Sequence, residues 1–157
     1  MAYRVLAKSS IYEELTRRGY HAISSDRTWA YSAEPDTGRP GGPVHHDNWM
    51  WHKTKAIPAL ESYDPDVLFV CGSCRNRAEF GPYFTKVFNL KIDDNTMRKR
   101  LTERTNNEFG KKPEEVELML KLNREDDGPP NSIDVDAARP LKDVVDDILA
   151  QCRIRRP

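Results

Sequence analysis

One stretch, Arg4 to Gly19, constrains this chain more than any other. A short apolar run, Val5 to Ala7, turns directly into a helical pattern in which Ile11, Tyr12 and Leu15 fall on one face, and Gly19 stops it. That is a strand feeding a helix, with Lys8, Ser9 and Ser10 at the junction.

The same alternation continues downstream. His21 to Asp26 reads as a second short strand ending in an acid, and Val67 to Cys71 as a continuous apolar strand covered on both faces. Lys86 to Ile92 and Ser132 to Asp136 supply further strands. A helix starts at Asp94, capped by Asp94 or Asn95, with Met97 and Leu101 toward the core. Pro113 opens another over Glu114 to Asn123, and Leu141, Val144, Val145, Ile148 and Leu149 form an amphipathic C-terminal one. Strands alternating with helices predict an α/β fold: three layers, α/β/α, around a mainly parallel five-stranded sheet. The expected organisation is one domain over residues 1–152, with a lid-like segment at about 104–113 and a basic tail at 153–157.

Between the second and third strands the pattern breaks. Ser32 to Pro43 is a breaker-rich segment, expected to be a mobile surface loop and neither strand nor helix. After it, a helix is expected to start near Asp47 and dock through its aromatic residues, kinked or shortened by Pro58. His45, His46 and His52 invite a metal site, although adjacent histidines cannot share a helix face. Lining an acceptor pocket and plain packing are the alternatives.

Charge narrows the class of partner. The 25 basic and 25 acidic residues cancel, so no global field recruits nucleic acid or an anionic membrane. No apolar run approaches the length of a membrane span, and a cytoplasmic monomer or homodimer acting on a small molecule is the expectation. Three cysteines include Cys71-Gly-Ser-Cys74, open to a redox or metal role, but Cys71 ends an apolar strand and reads as a small buried hydrophobe.

The chemistry-bearing residues cluster at strand ends. In an open parallel sheet, ligands sit outside the carboxyl ends of the strands, which places Asp26 beside Lys8 and Ser9. There an acid can accept a hydroxyl proton, hold Mg²⁺ through water, or merely cap a turn. Arg75, Asn76 and Arg77 follow Gly72 at the next strand end, where a phosphate or carboxylate can be gripped. Arg100 and Arg104 share one helix face before an exposed loop, suited to a triphosphate or to plain solvation.

With Lys8-Ser9 opening the first helix, Arg100-x₃-Arg104 before a loop, and a last strand leading through Arg139-Pro140 into a helix, the chain resembles the P-loop small-molecule kinases of the adenylate and shikimate kinase type. The resemblance spans nearly the whole length and rests on the order of the motifs. It implies ATP and Mg²⁺ as cofactors: Lys8 at the β- and γ-phosphates, Ser10 beside them, Ser9 on Mg²⁺, and Asp26 near the metal and the acceptor. It implies Gly72 and Arg75 as acceptor contacts, Arg100 and Arg104 as lid arginines, and Arg139 and Pro140 beside the adenine.

Two departures stand against it. Cys71 occupies the position where nucleotide kinases keep a strand-end acid, which shifts weight to Asp26. No glycine precedes Gly19, whereas a phosphate loop needs glycines to curl its N–H groups around a phosphate. Either the protein lacks that loop and is a catalytically inactive kinase-fold binder, or a glycine-rich segment is missing from the sequence between Ala7 and Lys8.

Overall fold

The computed structural model describes residues 3–7, 9–43, 48–62, 66–103, 111–125 and 130–153. Five strands, β1 (Tyr3–Ala7), β2 (Ala22–Ser24), β5 (Val67–Cys71), β6 (Lys86–Lys91) and β7 (Ile133–Asp136), form one parallel sheet in the order β2-β5-β1-β6-β7. Short strands β3 (Ala30–Ser32) and β4 (Trp49–Trp51) pair antiparallel in a separate two-stranded sheet. Helices α1 (Tyr12–Arg17), α2 (Ser25–Thr28), α3 (Lys53–Ser62), α4 (Asp94–Glu103), α5 (Pro113–Glu125) and α6 (Leu141–Cys152) complete the chain. The architecture is the three-layer α/β/α fold that the alternation predicts.

Residue parity divides the core in two. Val5, Ala7, Phe69, Cys71, Phe88, Leu90 and Val135 point to one face, where Ile11, Leu15 and the α6 stripe Val144, Val145, Ile148 and Leu149 cover them. Leu6, Leu68 and Val70 point to the other, against Trp29, Trp51, Ala56, Leu60 and Phe80. Successive side chains of a strand face opposite ways, so a continuous apolar run such as Val67 to Cys71 serves both layers. Right-handed crossovers account for the division: the connection from β1 runs toward β2, whereas those from β2, β5 and β6 run the other way and cross the opposite face.

Several expectations shift on the structure. The helix expected near Asp47 does not include Trp49 to Trp51, which is strand β4; Asp47 itself, with His45 and His46, lies outside the described residues. The helix begins at Lys53 and runs through Pro58 to Ser62. The segment after Ser32 is neither strand nor helix, as expected, with Ser32 itself ending β3, and it is hydrogen-bonded on itself: Ala33 bridges Pro40 and Glu34 N–H donates to the Arg39 carbonyl at 2.7 Å. A Cβ at Gly42 would stand 1.8 Å from the Ala33 carbonyl oxygen, so only glycine allows this closure. The cap of α4 is Asp93, one residue earlier than expected, its carboxylate accepting from Thr96 N–H at 2.8 Å and Thr96 Oγ1 at 2.7 Å.

Candidate active site

Three strands of the sheet end level with one another. Ala7 and Ser24 both stand in register with Cys71, so the residues that follow β1, β2 and β5 form one shelf. Gly72 knits it together: its N–H donates to the Ala7 carbonyl at 2.8 Å, while the Ser25 hydroxyl donates to the Cys71 carbonyl at 3.1 Å. At φ +143°, Gly72 has a conformation that side chains resist, and a Cβ there would lie 1.9 Å from Ser25 Oγ and 3.4 Å from Asp26 Oδ1. Gly72 and Asp26, named separately from the sequence, are neighbours.

Asp26 lies on the helical turn α2 just past the end of β2, with its side chain in solvent. Trp49 Nε1 donates to Asp26 Oδ1 at 2.9 Å. The carbonyl of the same tryptophan accepts the Arg75 N–H at 2.7 Å, which draws the segment after β5 against β4. Asn76 continues that edge with its side chain: Oδ1 accepts Trp51 N–H at 3.0 Å and Nδ2 donates to the Trp51 carbonyl at 3.1 Å. The amide thus stands in for a neighbouring strand. Asn76 Nδ2 also donates to Glu79, which pairs with Lys53 at 2.8 Å.

The other half of the sheet rises past the shelf. Leu6 pairs with Val87, so β6 continues beyond the end of β1 to Lys91, which is level with Asp136 of β7. Arg139 and Pro140 follow on this higher wall, with Pro140 at the N-cap of α6. Arg100 of α4 donates to the Arg139 carbonyl at 3.3 Å, and the Arg139 guanidinium is held by Asp147 at 3.1 Å and by the Asp136 carbonyl at 3.3 Å. Arg100, Arg139 and Pro140 therefore come together, four strand spacings or about 19 Å across the sheet from the end of β2 that carries Asp26. Ser9 and Ser10 start the short 3-10 turn after β1, between these two groups. Lys8 and Arg104 lie outside the described residues, as does the lid-like segment from Arg104 to Gly110. Its last part is described: Lys111 Nζ donates to the Leu101 and Thr102 carbonyls and closes the end of α4.

The cysteines and the described histidines form no second centre among the described residues, and His45 and His46 lie outside them. Burial pushes the Cys71 and Cys74 thiols up to about 12, leaving no thiolate for redox chemistry at neutral pH, and the two belong to opposite faces of the sheet. All three cysteines are free. His52 stacks on Tyr31 with ring centroids 4.0 Å apart, and no group of three His, Cys, Asp or Glu side chains among the described residues could hold a metal ion.

The fold as a whole matches a solved protein. A gluconokinase from Sinorhizobium meliloti 1021 superposes with a TM-score of 0.53 over 95% of this chain and 90% of that one, at 20% identity. The fold is kinase-like. No family model and no curated protein matches the chain. The sequence singled out Asn76 at the strand end and the region through Trp51 as an acceptor wall, but not the strand that carries Trp49 or its bond to Asp26. The alternation Trp49-Met50-Trp51 was the available signal, since aromatic residues two apart suit one face of a strand.

Proposed function

We propose that this kinase-fold protein is an ATP-dependent small-molecule kinase that phosphorylates a hydroxylated acceptor bound over Gly72 and Asp26. The observation that carries the reading is the level shelf at the end of β1, β2 and β5, which brings Asp26 and Gly72 together at the carboxyl edge of a parallel sheet, with the Ser9–Ile11 turn following β1. The gluconokinase likeness favours an acceptor of the polyhydroxy-acid kind.

The residues present fit Mg²⁺ at Asp26. Its carboxylate is exposed, has no ion-pair partner among the described residues, and is held by a neutral indole N–H, so its charge is kept for a cation or a hydroxyl proton. Ser9 is the second oxygen ligand in this reading. For the nucleotide, Lys8, Ser9 and Ser10 take the phosphates, Arg100 and Arg104 neutralise them, and Arg139 and Pro140 flank the base. Bound Mg·ATP would supply the phosphoryl group; the chain's part is to orient the acceptor hydroxyl and take up its proton at Asp26. Side chains would replace the backbone donors of a glycine-rich loop, which costs nucleotide affinity.

Thermal melting with and without Mg·ATP, on a sample whose intact mass has been measured, tests the reading. A nucleotide-raised melt, with turnover lost at least a hundredfold in Asp26→Asn, supports it. A mass of 18.1 kDa with no shift favours the second reading, a catalytically inactive kinase-fold binder, for which the specific observation is the single residue Lys8 between β1 and the Ser9 turn.

A further inference from the structure

Trp49 occupies an unusual place on the shelf. It belongs to no strand of the main sheet, yet it is tied to the segments after two of them. Opposite Ser32 in the β3–β4 pair on one edge, it accepts the Arg75 N–H on the other, so its backbone is fixed from both sides. Trp51 projects from the same side of β4, about 7 Å farther along, and plugs into the core between Trp29 and Phe80 at centroid distances of 5.4 and 5.1 Å. With one tryptophan locked in the core, the other has little freedom to leave the shelf, and its indole meets Asp26 there.

The choice of donor matters. An indole offers a single N–H, with no acceptor and no charge. It can hold a carboxylate in one orientation without neutralising it, as arginine or lysine would. We propose that Trp49 is a positioning residue: its indole N–H aims the Asp26 carboxylate across the crevice. Its carbonyl, by holding the Arg75 N–H, sets the separation between this acid and the basic segment that faces the same ligand. The β3–β4 hairpin is then the part of the molecule that sets selectivity for the acceptor. This inference rests on the kinase reading for the task of Asp26, and on geometry alone for the Trp49–Asp26 link.

Two experiments decide it. The chain has three tryptophans, of which Trp29 and Trp51 are buried and the Trp51 Nε1 has no hydrogen-bond partner. In a ¹H–¹⁵N spectrum, Asp26→Ala is expected to move the Trp49 indole signal, assigned by its disappearance in Trp49→Phe, and to leave the other two in place. An unmoved Trp49 signal overturns the proposal. Mn²⁺ is the probe for the second experiment, because it shares the oxygen-ligand preference of Mg²⁺. Trp49→Phe should weaken Mn²⁺ binding about tenfold at an unchanged melting temperature, the scale expected when a partner that orients a metal-binding carboxylate is lost. Trp49→His, which keeps a ring N–H, should recover part of the loss. Equal Mn²⁺ affinity in wild type and Trp49→Phe overturns the positioning role. Failure of the kinase reading looks different: no turnover with Mg·ATP, with the indole response to Asp26→Ala intact, leaves Trp49 as the positioning residue of a binding crevice.

Discussion

The two faces of the sheet are closed by different chemistry. On one, α1 and α6 lay aliphatic side chains over Val5, Phe69 and Val135, and exposed ion pairs such as Arg18 with Asp146 tie the helices together. On the other, Trp29 after α2, Trp51 of the two-stranded hairpin and Phe80 from the turns after β5 pack with Ala56 and Leu60 of α3 over Leu68 and Val70, and the same hairpin reaches the shelf through Trp49. The aliphatic face meets the Asp26–Gly72 shelf through the strand ends and the far wall through the bond from Arg139 to Asp147 of α6. Stability and site geometry are therefore separable on the first face and joined on the second, because a shift of Trp51 carries Trp49 with it.

The strongest way to break this contrast is Trp51→Ala, expected to cost ~3–5 kcal/mol as a large buried aromatic is deleted. Urea unfolding followed by near-UV and far-UV circular dichroism should give coincident transitions; an early loss of the near-UV signal would make the hairpin a separate unit and undo the linkage. Next comes Gly72→Ala. The added methyl meets Ser25 Oγ and must hold a strained φ, so stability falls by at least ~1–3 kcal/mol and ligand binding at the shelf falls with it. Retained binding would show that the shelf tolerates movement. Ile148→Val, on the aliphatic face, should lower stability by ~0.5–1.5 kcal/mol and leave affinity for Mn²⁺ untouched, as isothermal titration can establish.

The smallest effect concerns the thiols. Cys71 faces the aliphatic layer and Cys74 the aromatic one, and burial pushes both thiols up to about 12 from an ordinary value of 9.0. Unfolded thiols give up their protons first, so their share of stability is complete below pH 9 and is lost as pH rises from 9 to 12. Within that window, Cys74 should be alkylated before Cys71, since local opening of a small hairpin exposes it first. Equal rates, read by mass spectrometry, would mean that the two faces open together.

What could be read in advance follows the same division. The strands of the main sheet and helices α4 to α6 were legible because each carries a period that its own residues complete: the apolar run of β5, or the Leu141 to Leu149 stripe of α6. The hairpin was not. Its strands have three residues each, and β4 owes its extended form to pairing with β3 and to the Asn76 amide, neither of which is local in sequence. Of the site, Asp26 was placed at the strand ends by the rule for parallel sheets and Gly72 by resemblance, each without the other, whereas the bond from Trp49 depends on a tertiary contact spanning 23 positions. Arg100 and Arg139 were assigned to separate jobs, and their hydrogen bond places them on one wall.

The central position of β1 has a consequence for how the protein is made. Val5 pairs with Phe69 on one side and Lys86 on the other, so β1 has no neighbour in the sheet until β5 has been synthesised, and its second edge stays open until β6 follows. Its apolar side chains must wait, solvated or shielded by a chaperone, while the chain through β6 emerges. A ribosome stalled before Lys86 should display a β1 segment still open to protease, and release past Lys91 should close it.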